Sequence, residues 1–410
     1  MDRIILHCDL NYFYANVELL YHPEDRHLPV AVGGDKEKRH GIILAKNPLA
    51  KSFGVTTGEP LWQAKQKCPN LLIYSADTRK YQKFSILAKK IFSTYSDKIE
   101  SFGLDEVWID ISHTYHLFGT PYHLAYLIKE RIKKELGLTI SIGISYNKIF
   151  AKLGSDYRKI DGITVINQKN KIEIIDPLPV DSLLYIGRRT KAKLALLNIT
   201  TIGDLAAASR DFLKQNFGKV GEVLHTYANG WDNSEVNHIN KVREPKSIGN
   251  STTPPCDMCT YQDVYLVLSV LAQSVATRLK QHGLIGCCLS LGIKTTDLKY
   301  FTCQTTLDYP TNLYYRLLEE AFILFKRNCK LQNPLRCIGI SLSKLTKEKN
   351  PQQLTFFTQK QDDKSLIIDN TLDQIHNRFG YSAINYTMLQ LNKDLLDLSP
   401  KDEPATFPVG

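Results

Sequence analysis

Two apolar extended runs, residues 99–104 (IESFGL) and 107–112 (VWIDIS), are separated only by Asp105 and Glu106. A connection that short predicts a hairpin. Around it, strand and helix signals alternate through the first 166 residues: a strand at Ile4–Cys8, a basic amphipathic helix at Tyr81–Tyr95, the hairpin, a helix over residues 122–137, and a strand at 139–145 (TISIGIS). An insertion after Leu10 carries a helix near Tyr12–Leu20 and an apolar run at Pro29–Val32. Without that insertion the order is strand, helix, two strands, helix, strand, the split βαβ or ferredoxin-like arrangement. Such a sheet brings Asp9, at the end of the first strand, beside the hairpin acids.

Neighbouring side chains on a regular strand point to opposite faces, so Asp105 and Glu106 can share one site only where a turn re-aims them. Three converging carboxylates repel one another unless a cation lies between them. Magnesium suits such a group, because it is a hard ion that takes a few carboxylates and completes its shell with substrate phosphates. Two ions roughly 3.5–4 Å apart stabilise both the attacking and the leaving oxygen of an in-line phosphoryl displacement. Each acid alone reads as a common turn residue or helix cap. Together, with the rings of Tyr12, Phe13 and Tyr14 alongside, they point to phosphoryl chemistry.

A chain of 410 residues predicts two to four domains. Its net charge of +10 and pI near 9.0 favour a polyanionic partner, nucleic acid foremost. No apolar stretch approaches the roughly 18 residues of a membrane span, and Asp2, Arg3 and Asp9 stand where a signal peptide needs apolar residues, so a cytoplasmic protein is expected. Most of the nine cysteines lie among apolar neighbours, as buried thiols in a reducing compartment do. Cys256 and Cys259 form a single CxxC, which without a second pair reads as a loop rather than a zinc site. From about Pro177 to Trp231 the pattern changes to short helices punctuated by glycine. A polar stretch at 232–247 leads into a second α+β unit, and a polar segment and one more helix (Ile367–Arg378) close the chain.

Asp9, the run YFYANVE (12–18), the run LDEVWID (104–110) and the stretch GISYNKIFAKLGSDYRKIDGI (143–163) resemble the Y-family DNA polymerases, the translesion class, and above all the branch of bacterial polymerase IV. The resemblance runs from Ile4 to about Leu345. It implies an α+β multidomain protein: a ferredoxin-like palm (1–10 and 77–166), fingers (11–76), a helical helix-hairpin-helix thumb (167–233), a linker (234–245), an α+β little finger (246–345) and a C-terminal segment (346–410). It further implies two Mg2+ ions held by Asp9, Asp105, Glu106 and the Leu10 carbonyl, with Asp9 and Asp105 bridging both and Glu106 on the ion beside the primer terminus. Tyr12, Phe13, Tyr14, Lys51 and Lys159 would meet the incoming nucleotide, Tyr14 lying under the sugar as a steric gate. Gly187, Arg188, Arg189 and Lys191 of the thumb, and Lys246 and Ser247 of the little finger, would contact DNA backbone without reading sequence. Gln353, Leu354, Phe356 and Phe357 resemble the peptide by which such enzymes attach to a sliding clamp.

Three departures stand out. The fingers carry Pro48 and Lys51 where the resemblance implies tyrosine and arginine, so either Lys46 or Asn47 is expected to compensate or triphosphate binding is looser. Asn11 stands where an acid is frequent, and Gly103 where the hairpin often has serine. The expected activity is low-fidelity, template-directed DNA synthesis from deoxynucleoside triphosphates, without proofreading, by a monomer. The rival readings are a palm-fold nucleotidyl cyclase, disfavoured because Leu104 intervenes before the acids, and a noncatalytic clamp-tethered DNA-binding protein descended from a polymerase.

Overall fold

The computed structural model describes residues 3–34, 41–241, 244–348, 363–379 and 383–384. They form two units divided near residue 242. The first opens with β1 (Ile5–Leu10) and α1 (Phe13–Tyr21). Then come β2 (Val30–Gly33), β3 (Ile43–Lys46), α2 (Pro48–Ser52), α3 (Leu61–Lys67) and β4 (Leu72–Ser75). Next are α4 (Thr78–Phe92), β5 (Ile99–Ser101), β6 (Glu106–Asp110), α5 (Pro121–Leu136), β7 (Ile140–Ser145), α6 (Lys148–Tyr157) and β8 (Ile163–Val165).

The main sheet has the order β5-β6-β1-β7-β8. Its first four members are antiparallel, and only β8 joins parallel, on the outer edge. That is the ferredoxin-like order expected from the sequence. Strand β1 is buried throughout, as a central strand covered on both faces must be. Helix α6 presses onto one face of the sheet at Gly143, where a methyl group would overlap the Ala151 carbonyl oxygen and the Ser155 nitrogen. Gly143→Ala is therefore expected to destabilise this unit by about 3 kcal/mol, read from the urea midpoint. The insertion after β1 forms its own three-stranded sheet, β3-β2-β4, around Ala31, Ile43, Ala50, Ala64 and Leu71.

After β8 the chain becomes helical: α7 (Lys171–Ile174), α8 (Arg188–Leu196), α9 (Ile202–Ala207), α10 (Arg210–Phe217) and α11 (Lys219–Ala228). Leu194, Ile202, Leu205, Leu213 and Leu224 share a core with Ile149, Phe150 and Leu153 of α6. Residues 232–241, expected as the start of a linker, pack along the outer edge of β5. The Ile239 N–H donates to the Asp97 carbonyl (2.8 Å), the Asn237 N–H donates to Glu100 (3.0 Å), and Val236 is buried with Ile5 and Trp108. The backbone pairing lies just before β5, at Asp97 and in a bridge between Lys98 and His238.

The second unit is an α+β layer. It contains β9 (Ser247–Thr252), α12 (Tyr261–Gln281), β10 (Leu284–Thr295), β11 (Tyr300–Thr311), α13 (Tyr314–Asn328), β12 (Leu335–Lys347) and α14 (Asp363–Phe379). The antiparallel sheet runs β11-β10-β12-β9. Leu289, Leu291, Ile338, Ile340 and Leu342 pack against the helices. The alternate positions carry Ser290, Lys294, Thr302, Gln304 and Ser341 on the opposite face. Helix α14 joins the helical layer through polar contacts: Asp373 meets Lys280 (2.8 Å), and the Asp369 carboxylate accepts from the Tyr314 N–H (2.7 Å) at the start of α13.

Candidate active site

Cross-strand register builds the centre of the site. Asp9, the penultimate residue of β1, lies directly opposite Glu106, the first residue of β6, so both side chains project from one face. Asp105 sits one residue earlier, outside the strand. Its carbonyl accepts a hydrogen bond from the Leu10 N–H (3.0 Å), which draws the hairpin across the end of β1. Only the first of the two adjacent acids lies in the turn, which is how neighbours in sequence can face one region. Gly103 begins that turn at φ +94°, a backbone conformation that strains a serine and suits a glycine.

The acids are answered by ammonium groups from α6 and the loop after it. Lys159 lies 2.8 Å from Asp9 and 2.9 Å from Asp156, and Lys152 lies 2.6 Å from Glu106 and 3.7 Å from Asp156. Behind them His7 is buried beneath α6, its Nδ1 2.8 Å from the Ser155 hydroxyl and its Nε2 3.3 Å from Glu106. Lys152, Asp156 and His7 were not singled out from the sequence. Lys152 and Asp156 stand four apart on one side of α6, a signal that could have found them.

Burial is the largest influence on each acid, and the neighbours decide the outcome. Burial raises Asp9 above the usual carboxylate range against the pull of Lys159. Burial, then repulsion from Glu106 and Asp9, pushes Asp105 up to about 6. Burial also acts upward on Glu106, yet His7 and Lys152 hold it below its usual range. Burial in turn lowers His7. Burial alone would lower Lys159, and its contacts with Asp9 and Asp156 raise it. This is an all-oxygen acid group with one member strongly destabilised as an anion and two lysines standing in as cations. Its donor chemistry fits a hard divalent ion. The three acids are not gathered as tightly as a closed metal cage. Among the described residues, the trio of possible ligands with atoms all within 4.8 Å of one another is His22, Glu24 and Asp25, exposed or half-buried at a separate place in the first unit. Cys256 and Cys259 are exposed free thiols and belong to no such group among the described residues.

The aromatic trio divides by role. Tyr12 adopts a left-handed conformation (φ 48°) at the entry of α1, a costly geometry for a large side chain, and no side chain caps that helix. Phe13 is buried in the core, so it offers the site only its backbone. Tyr14 is half-buried and stacks on Tyr81 at 4.2 Å, and the Tyr81 hydroxyl is fixed on Glu18 (2.8 Å). Pro48 is the first residue of α2, where a missing N–H costs nothing. Asn47 is spent on structure: its Oδ1 accepts from Ala50 (2.8 Å) and Val30 (3.0 Å), and its Nδ2 donates to the Leu28 carbonyl (2.8 Å). Of the two expected compensators, that leaves Lys46, which burial and then the nearby charge of Lys51 lower from the usual lysine range.

Elsewhere, Gly187 precedes α8 in extended conformation with no side-chain cap on the helix, and Lys191 pairs with Asp181 at 2.8 Å. Lys246 and Ser247 are exposed at the start of β9 in the second unit. Gln353, Leu354, Phe356 and Phe357 lie outside the described residues.

Residues 8–156 match the model of the impB/mucB/samB family, residues 245–356 that of its C-terminal domain, and residues 182–232 that of the DNA polymerase-iota thumb domain. DNA polymerase IV of Acetivibrio thermocellus is 43% identical over 396 residues, covering 96% of this chain and 99% of the relative. The chain belongs to the Y-family DNA polymerases. DNA polymerase IV of Bacillus velezensis is 36% identical over 383 residues, covering 93% of this chain and 92% of the relative. The fold is also that of a solved Y-family DNA polymerase chimera, Dbh-Dpo4(243-245)-Dbh, with a TM-score of 0.73, 22% identity, and coverage of 84% of this chain and 99% of that one. This Y-family member is thus a DNA-directed DNA polymerase of the translesion class acting on DNA with deoxynucleoside triphosphates, and membership implies use of a divalent metal. No described helix is long and apolar enough to cross a membrane.

Proposed function

We propose that Asp9, Asp105 and Glu106, with the Leu10 carbonyl, form the catalytic centre of this polymerase and hold two Mg2+ ions. The observation that carries the reading is the Asp9–Glu106 register pair with Asp105 folded against it, each ion-paired or strained as an anion. Bound there, the ions supply positive charge that acidifies the primer 3′ hydroxyl and offsets the charge growing on pyrophosphate. The protein's own part is positioning. Lys159 exchanges its contact with Asp9 for triphosphate oxygens while keeping Asp156. Lys51 and Lys46 serve as point charges without the two-pronged grip of arginine. The uncapped start of α1 offers the N–H groups of Tyr12, Phe13 and Tyr14 to phosphate. Tyr14, braced by Tyr81, stands where a ribose 2′ hydroxyl would collide.

In this reading residues 1–10 and 77–166 are palm, 11–76 fingers, 167–233 thumb and 246–345 little finger. The little finger lays the polar face of its sheet, with Lys246 and Ser247, on the DNA. Gln353, Leu354, Phe356 and Phe357 bind a sliding clamp, and the enzyme works as a monomer in the cytoplasm. The test is single-nucleotide insertion opposite intact and damaged templates. Complementary incorporation that needs a divalent cation is expected, and incorporation that persists in chelator would refute the proposed centre. Arg188→Ala and Arg189→Ala should each weaken DNA binding equally on unrelated sequences. Each should also flatten the slope of log affinity against log salt by about 0.9 in a fluorescence-anisotropy titration.

A further inference from the structure

Asn11 does something specific in this structure. It is buried directly after β1, and its amide is used at both ends. Nδ2 donates to the Ser141 hydroxyl (2.8 Å), and Oδ1 accepts from the Asp161 N–H (2.9 Å). The orientation is unambiguous, because a backbone N–H can only donate. Asp161 belongs to the turn after α6, which places Lys159 on Asp9. That turn is strained: Ile160 and Asp161 both adopt left-handed conformations (φ 83° and 62°), and Gly162 is pressed so close to the Arg158 carbonyl that a side chain would not fit. Two non-glycine residues in succession hold such a conformation only where the surroundings impose it. The restraints come from two sides. Asn11 holds the Asp161 N–H from the strand, and Lys129 of α5 holds the Asp161 carbonyl (2.7 Å) and carboxylate (3.1 Å) from the helix.

We infer that Asn11 is a positioning residue for nucleotide binding: through Asp161 it fixes the turn that aims Lys159, so that the amide sets triphosphate affinity without touching the substrate. The inference rests on the reading of Lys159 as a triphosphate contact. An aspartate at this position keeps the acceptor for the Asp161 N–H and accepts in turn from the Ser141 hydroxyl, so it can do the same work.

The test is steady-state single-nucleotide insertion by the full chain. Lys159→Ala examines the underlying reading and should raise the KM for deoxynucleotide about 10-fold or more, with a smaller fall in kcat. Asn11→Ala should also raise KM about 10-fold with little change in kcat, Asn11→Asp should stay within about 3-fold of wild type, and the Asn11→Ala/Lys159→Ala double variant should be no worse than Lys159→Ala alone. Lys129→Ala releases the same turn from its other side and should show the same KM-led defect, which keeps the inference testable if Asn11→Ala does not fold. A strong Lys159→Ala defect beside normal KM values in Asn11→Ala, or in Lys129→Ala if the former is insoluble, overturns the inference and leaves the Lys159 reading standing. A Lys159→Ala enzyme with normal KM overturns both.

Discussion

Asparagine in place of Asp105 is expected to abolish primer extension and, in the same molecule, to raise the melting temperature of the metal-free protein. Loss of activity should reach at least about 10^3-fold in kcat/KM, because in the proposed centre this carboxylate holds the divalent cations that offset charge developing in the transition state. The gain in stability has a different origin. Burial and the neighbouring acids push Asp105 to about 6 from an ordinary 3.8, so its ionised form costs folding free energy. The folded protein then binds more protons than the unfolded chain between those two values, and this group's contribution to stability falls as pH rises through that window. Its penalty is complete above about pH 6 and absent below about pH 4, on the order of 1–3 kcal/mol at neutral pH. Asp105→Asn should therefore melt several degrees higher than wild type at pH 7.5 in chelator and match it near pH 4. Glu106 runs the other way. Its folded-state value lies below the ordinary range, so it contributes stability at neutral pH that is lost in acid. Glu106→Gln is predicted to be inactive and destabilised, which separates the two adjacent acids by calorimetry alone.

Tyr14→Ala is expected to admit ribonucleotides. The Tyr14 ring is not free to swing aside: it stacks on Tyr81 at 4.2 Å, and Tyr81 is tied through its hydroxyl to Glu18, which Lys80 also grips at 2.8 Å. A ring braced in this way excludes a 2′ hydroxyl by volume, which a flexible side chain could not do. Removing it should lower the preference for deoxy- over ribonucleotide in kcat/KM by about 10^2-fold, with much smaller change for deoxynucleotides. Tyr81→Phe deletes only the hydroxyl that anchors the stack and should give an intermediate loss. Unchanged discrimination in Tyr14→Ala would remove the ring from the sugar's path.

The features legible in the sequence were those carried by local pattern. The ferredoxin-like order followed from the spacing of apolar runs, and the three acids drew attention as carboxylates bordering buried strands. Asp105 and Glu106 looked alike at the tip of a hairpin, whereas pairing puts Glu106 inside β6 opposite Asp9 and leaves Asp105 outside it. Register between distant strands decides that, and no local signal encodes it. His7 was part of an apolar run, and only the approach of α6 at Gly143 brings it against Ser155, while the pairing of β1 with β6 brings it against Glu106. Asn11 looked like a departure from pattern. Two of its hydrogen bonds reach Ser141 and Asp161, 130 and 150 residues away, so that use was invisible before the chain was folded. The polar stretch after residue 231 lacked any strand pattern because its backbone pairs with that of Asp97 and Lys98, just before β5, which its side chains do not advertise.

The most direct test is to count manganese ions by electron paramagnetic resonance in the complex with primer–template and a nonhydrolysable deoxynucleotide analogue. Two Mn2+ per wild-type chain are predicted, with loss of at least one in the Asp9→Asn and Asp105→Asn variants. Equal manganese binding in wild type and both variants would show that these acids do not hold the ions, and the proposed catalytic centre would be wrong.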